Sequence, residues 1–271
     1  MRGALVAVAV VLVACGKTPS PVDSGVPDAG APDAGRQCLD PDAGPPVDAG
    51  ERDGGDFSCA GQTPPQLATP SFTVDGTVTA AGISRNPVDG ALVELFNAGG
   101  TLLDSELSAD GGSYQLGADL GCTALDGYLR ASKPDAGFYD IYYYPTFPWR
   151  RPRSALELVV FDDAARQLVS AFAGVTIQAG TAALALGVDD CAGAPVSGAT
   201  VATNPSGDVR YVAGNGLPTS GATSTSAKGQ ALVFNLPPGP VTLTVSARGQ
   251  TFRVRTIPAR ADAITSTTLV P

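Results

Sequence analysis

From Phe72 onward, short runs of alternating apolar and polar residues are each ended by Gly, Pro, Asn or Asp. A period of two marks strands with one buried face. Phe72-Thr73-Val74-Asp75-Gly76-Thr77-Val78 is one such run, and Ala91-Leu92-Val93-Glu94-Leu95-Phe96 is another. One segment changes period. Between Asp162 and Gly174, Ala165, Leu168, Val169 and Phe172 recur at helical spacing, behind an Asp cap and ahead of a Gly stop. That pattern predicts one short amphipathic helix with those four side chains inward, docked on the sheets as packing.

Residues 16 to about 66 show neither period. PVDSGVPDAGAPDAG, PDAGPPVDAG and ERDGGD form a degenerate Pro-Asp-Ala-Gly repeat with little to bury. Such a segment does not offset its ordering entropy and is expected to be a disordered, solvated tether. Its Asp residues (Asp23, Asp28, Asp33) stand five apart with no Glu behind them, which does not fit a calcium loop. Ahead of it, Met1 to Ala14 carries one Arg and an apolar run. The run is shorter than the roughly 20 residues of a bilayer span and has the form of a secretory signal peptide. Its end, Leu12-Val13-Ala14-Cys15, resembles the lipobox of bacterial lipoproteins. That resemblance implies acylation and cleavage at Cys15, anchoring the chain in a membrane through several acyl chains. Gly16 follows instead of Asp, so the expected address is the outer membrane or cell surface.

Composition narrows the chemistry. The 271 residues include no histidine, which excludes His-based general bases, Ser-His-Asp triads and His-ligated zinc or haem. The formal net charge is −9, and nine acids against three bases fall between Cys15 and Ala60. Most of the charge therefore sits on the tether, and no nucleic-acid partner is expected. Asp162-Asp163 and Asp189-Asp190 are sequence neighbours, so they do not read as a two-carboxylate site. No catalytic constellation, metal site or cofactor is expected.

The folded part repeats itself. Asn86-Pro87-Val88-Asp89-Gly90-Ala91-Leu92-Val93 returns as Ala194-Pro195-Val196-Ser197-Gly198-Ala199-Thr200-Val201, and Ala109–Tyr114 returns as Ala227–Leu232. In each copy the Gly after Pro-Val-x is free to take positive φ in a tight turn. These phrases, with Leu236-Pro237-Pro238-Gly239-Pro240-Val241-Thr242-Leu243-Thr244-Val245, resemble the carboxypeptidase regulatory-like domain, a transthyretin-like β-sandwich of about seven strands. In the first copy, Gly121 to Arg130 replaces the family's Pro-Gly turn, although Gly127-Tyr128 keeps a family-like pair. The resemblance implies an all-β fold of two tandem Ig-like (transthyretin-like) sandwiches. The expected plan is a signal peptide (1–14), a tether (15–66), a first sandwich (67–153), a connecting helix region (154–180) and a second sandwich (181–271).

With Cys15 lipidated, Cys38, Cys59, Cys122 and Cys191 remain, an even number that favours disulfides in an exported chain. The preferred pairing is Cys38–Cys59 within the tether and Cys122–Cys191 between the copies. The spacings contain no C-x-x-C pair for a thiolate metal site.

The densest feature is aromatic. Phe138, Tyr139, Tyr142, Tyr143, Tyr144, Phe147 and Trp149 lie together and are followed by Arg150, Arg151 and Arg153. Aromatic faces stack on sugar rings and Tyr hydroxyls orient polar ligands, so Tyr139, Tyr143 and Trp149 are the candidate ligand residues. Filling the seam between the modules is the competing role. The expected function is a non-catalytic, lipid-anchored envelope protein with a structural or protein-interaction role. The alternative is carbohydrate binding through residues 138–149. The partners are thus a membrane, and an envelope protein or surface polysaccharide.

Overall fold

A computed structural model describes residue 38 and residues 55–62, 66–82 and 84–271. The apolar leader, the expected lipidation site Cys15 and most of the expected tether lie outside the described residues.

The described residues are all-β with one α-helix. The first module comprises β1 (Ser71–Ala80), β2 (Leu92–Asn97), β3 (Leu102–Leu107), β4 (Ser113–Asp119), β5 (Gly127–Ser132), β6 (Ile141–Tyr144) and β7 (Arg153–Val160). Helix α1 (Asp163–Ala173) follows. The second module comprises β8 (Ala182–Val188), β9 (Thr200–Asn204), β10 (Asp208–Val212), β11 (Pro218–Thr219), β12 (Gln230–Leu236), β13 (Gly239–Ala247), β14 (Gln250–Thr251), β15 (Arg255–Ala259) and β16 (Ile264–Leu269).

The two modules share one connectivity except in the third strand, since β3 pairs with β2 whereas β10 pairs with β12. In the first, β4-β1-β7 packs against β6-β5-β2-β3; in the second, β12-β8-β16 packs against β15, β13 and β9. Corresponding strands follow the repeated phrases, and Gly90 and Gly198 both take positive φ, at 67° and 80°. The modules are not separate beads. Parallel pairing of β6 with β16, Ile141 to Tyr144 against Ile264 to Thr267, joins half of each into a nine-stranded sheet. Its order is β11-β10-β12-β8-β16-β6-β5-β2-β3.

Alternation along this sheet decides what each face meets. On one side Leu95, Leu129 and Ile141 pack under β4-β1-β7 with Phe72, Val74 and Leu158. On the other side Leu184, Leu186 and Val233 pack under β13 and β15 with Leu243, Val245 and Ile257. Each cover sheet thus lies on a different side, at a different end.

Helix α1 covers the second module on the side opposite β13. Asp162 caps it by accepting from the Ala165 N–H, and Gly174 ends it in the left-handed region. The buried residues are Ala165, Val169 and Ala173, over Ala185, Leu232 and Phe234. Leu168 and Phe172, expected inward, are exposed. The inward stripe runs along the small residues, letting the helix backbone approach the sheet.

Two further expectations change. Residues 154–160, assigned to the connecting region, are the body of β7, which pairs in parallel with β1 and completes the first sandwich. The disulfides are Cys38–Cys122, with Cα atoms 5.5 Å apart, and Cys59–Cys191, at 5.7 Å. Neither preferred pairing forms. The physical reason is an N-terminal arm that crosses the fold: Asp56 N–H donates to Asp190 Oδ2 (2.9 Å) and Cys191 N–H to the Asp56 carbonyl (2.7 Å). That ladder places Cys59 beside Cys191, so each module is stapled to the arm and not to the other module.

Candidate functional site

The aromatic segment divides by strand parity. On β6, Ile141 and Tyr143 face the first core, as Leu129 and Leu95 do on β5 and β2. Tyr142 and Tyr144 face the other side, level with Arg130 and Glu94. Among the described residues no sheet covers that side of β2-β5-β6.

Of the three candidate ligand residues, Trp149 is 6% exposed and stacks on Phe72, with centroids 5.1 Å apart. Its backbone exchanges two hydrogen bonds with Leu125. Tyr143 packs on the same core. Both are seam and core residues, which corrects the ligand assignment. Tyr139 lies elsewhere, over the N-terminal half of α1. It donates to Asp163, accepts from Arg166 Nη1 (2.6 Å) and sits under the Arg166 guanidinium at 4.7 Å. The hydrogen bond to Asp163 holds its hydroxyl above the ordinary tyrosine range. Tyr139 and Arg166 border an apolar cleft of about 50 Å³ lined by Val169, Ile177, Leu232 and Phe234. Ligand pockets usually run to about 300–1,000 Å³, so the cleft is small for one. The structure does not bring the three residues together. Of the arginines after them, Arg150 also serves the fold, its Nε donating to the Leu67 carbonyl.

What the structure does bring together is a ladder of rings on the uncovered face. Phe96 on β2 stacks on Tyr128 at 5.0 Å, and Tyr128 on Tyr144 at 5.0 Å. Tyr142 stands beside them, 6.1 Å from Tyr128. Arg260, just beyond β15, lies over this group, 3.8 Å from the Tyr142 centroid and 5.2 Å from that of Tyr128. It donates to the Tyr144 hydroxyl at 3.1 Å. Burial raises the hydroxyls of Tyr142 and Tyr144 despite that cation, so both stay neutral donors at physiological pH. Arg130 pairs with Asp140 (2.7 Å) and Glu94 (3.2 Å).

The ladder continues to the sheet edge as aliphatic surface. On β3, Leu103, Ser105 and Leu107 alternate with Asp104 and Glu106. Asp104 Oδ2 accepts from Gly117 N–H, and Glu106 accepts from Gln115 N–H, closing the edge of β4. The leucines therefore face outward, with Leu103 39% and Leu107 64% exposed. Parity could have found Tyr142 and Tyr144, because Ile141 marks the core face of the strand. Nothing local marks Arg260, which arrives from the far end of the chain.

Asp162 caps α1, and Asp190 holds both its own turn and the Asp56 arm. Asp190 is buried and its Oδ1 accepts from the Ala192 and Ala194 N–H groups, each at 2.9 Å. Among the described residues no three His, Cys, Asp or Glu side chains gather to hold a metal ion. No helix of the described residues is long and apolar enough to cross a membrane.

No family model and no curated protein matches the chain. Solved structures align with 74% of it at low similarity. They include the shaft pilin SpaA from Lactobacillus rhamnosus GG (10% identity, 98% of that chain, TM-score 0.26). BcpA, the major pilin subunit of Bacillus cereus, aligns at 10% identity over 99% of its length, with TM-score 0.25. The Bacillus anthracis TIE protein aligns at 10% identity and TM-score 0.26, with only 33% of its length spanned. Likeness at this level carries no functional information.

Proposed function

We propose that this chain is a non-catalytic, lipid-anchored envelope protein whose fused double sandwich is a rigid interaction module at the cell surface. The observation that carries this reading is the β6–β16 pairing, which makes one sheet of two modules and leaves the Phe96–Tyr128–Tyr144 face uncovered. A uniform solvated exterior does not need three stacked rings and two outward leucines, and apolar surface of this kind marks interaction sites. The two disulfides support export, since such bonds persist in oxidising compartments. The carboxylates on the uncovered face, Glu94 and Asp140, are both held by Arg130, which favours binding over proton chemistry.

Carbohydrate stacking has less support. Trp149 lies in the core, and Tyr128 has Phe96 and Tyr144 as stacking neighbours. The carboxypeptidase regulatory-like kinship of the two modules is part of this proposal, with the first sandwich extended to Val160.

Growth with labelled palmitate tests the reading. Label on the full chain, lost on Cys15→Ser together with envelope retention and surface protease sensitivity, is the expected result. An unlabelled chain that stays in the cytosol overturns it.

A further inference from the structure

We propose that the uncovered face of β2-β5-β6 is a notch that docks an amphipathic α-helix of a partner protein, with an acidic side chain of that helix on Arg260. Depth comes first. The cover strands β13 and β15 pack on β8 and β16, in the second module's half of the sheet, and packed sheets stand about 10 Å apart. The step beside Arg260 is therefore about one layer deep, and an α-helix with its side chains is about 10–12 Å across.

The molecule already fills the corresponding notch on its other side in this way. There the second module's half of the nine-stranded sheet is covered by α1, through Ala165, Val169 and Ala173. The first module's half has no such helix among the described residues.

Charge and composition narrow the occupant. Arg260 is set over Tyr142 and bonded to Tyr144, yet meets no carboxylate at ion-pair distance among the described residues. Arg130 on the same floor has two. A guanidinium placed by rings, with unused N–H donors, suits a carboxylate. Leu103 and Leu107 ask for aliphatic contacts, which a helix supplies and a glycan does not. Pairing along the edge of β3 is opposed by Asp104 and Glu106, inward charges of the kind that blunt edges. The partner therefore meets the face and not the edge. Aromatic residues and Arg at the centre of such a patch have hot-spot composition.

The test is p-benzoylphenylalanine at Leu103 in the full chain, photolysed in intact envelopes, with the crosslinked peptide identified by mass spectrometry. Expected is one protein, joined through a helical segment with Asp or Glu beside aliphatic residues. Arg260→Glu should lower its yield about tenfold or more, and reversing the partner's acid to Lys should restore it. Arg248→Glu, away from the face, is the matched control, and melting curves check that each variant folds. Crosslinks only to lipid or glycan, to a second copy of this chain, or to an edge strand overturn the proposal. So does a yield indifferent to Arg260→Glu. The proposal rests on the interaction reading and not on the anchor: failed palmitate labelling removes the anchor, and failed crosslinking with labelling intact removes the notch.

Discussion

Ser108 makes the same four hydrogen bonds to the Val88–Ala91 turn that Thr225 makes to Val196–Ala199, one of them from its own N–H to the Ala carbonyl. In each module the hydroxyl donates to the Val carbonyl at 2.7 Å and accepts from the Ala N–H at 2.9 Å. The backbone carbonyl of the same residue accepts from the turn Gly. Both residues are buried, so neither turn has water to replace the hydroxyl. Ser108→Ala and Thr225→Val should each cost about 1–3 kcal/mol, the penalty for leaving a buried backbone group unpaired. Urea denaturation measures it, and loss-free variants would refute the clamp.

Gly76 lies where β1 meets β7. A Cβ there would stand 1.8 Å from the Leu156 carbonyl oxygen and 2.9 Å from the Tyr114 hydroxyl, which itself donates to that carbonyl at 3.0 Å. Gly76→Ala should destabilise by about 1–3 kcal/mol or more and loosen the parallel pairing. Gly82→Ala, whose Cβ would meet only the Ser84 carbonyl at 3.7 Å, is the control. Equal melting temperatures for the two variants would contradict the close approach.

The duplication was legible because Pro-Val-x-Gly-Ala turns are local: a few adjacent residues set the φ of Gly90 and Gly198. The helix was legible for the same reason, through Asp162 and Gly174. Its inward face was misjudged because hydrophobicity points to Leu168 and Phe172, whereas close approach to Ala185 and Phe234 selects Ala165 and Ala173. What sequence order hides is pairing between distant strands. The contact of Ile141–Tyr144 with β16, which joins the two modules into one sheet, depends on residues over a hundred positions away. Trp149 looked like a ligand residue because an aromatic run carries no sign of which rings meet a core. The cysteine pairing was hidden likewise, since only the Asp56–Cys191 ladder decides it.

Non-reducing peptide mapping should recover Cys38 with Cys122 and Cys59 with Cys191, and no Cys38–Cys59 peptide. The Cys59–Cys191 bridge closes a separation of 132 residues. Replacing both partners with Ser should cost about 2–5 kcal/mol. The remaining Asp56–Asp190 hydrogen bond leaves the arm near its seat, so the loss should appear as a lower midpoint with one transition retained. A second transition would show that the arm folds separately.

Asp189 gives the fold a pH dependence of unusual sign. Burial, reinforced by the charge of Asp190, raises its carboxyl from 3.8 to about 6. The folded state then holds the proton more tightly than the unfolded chain. Its contribution is fully present below the unfolded value and is lost as pH rises through about 6. Most native carboxylates behave oppositely, so the measurement is a difference. Asp189→Asn should gain melting temperature relative to the wild type as pH rises from 4.5 to 7.5, with the change centred between 4 and 6. A flat difference for Asp189→Asn would mean that this carboxyl is solvated in the folded protein.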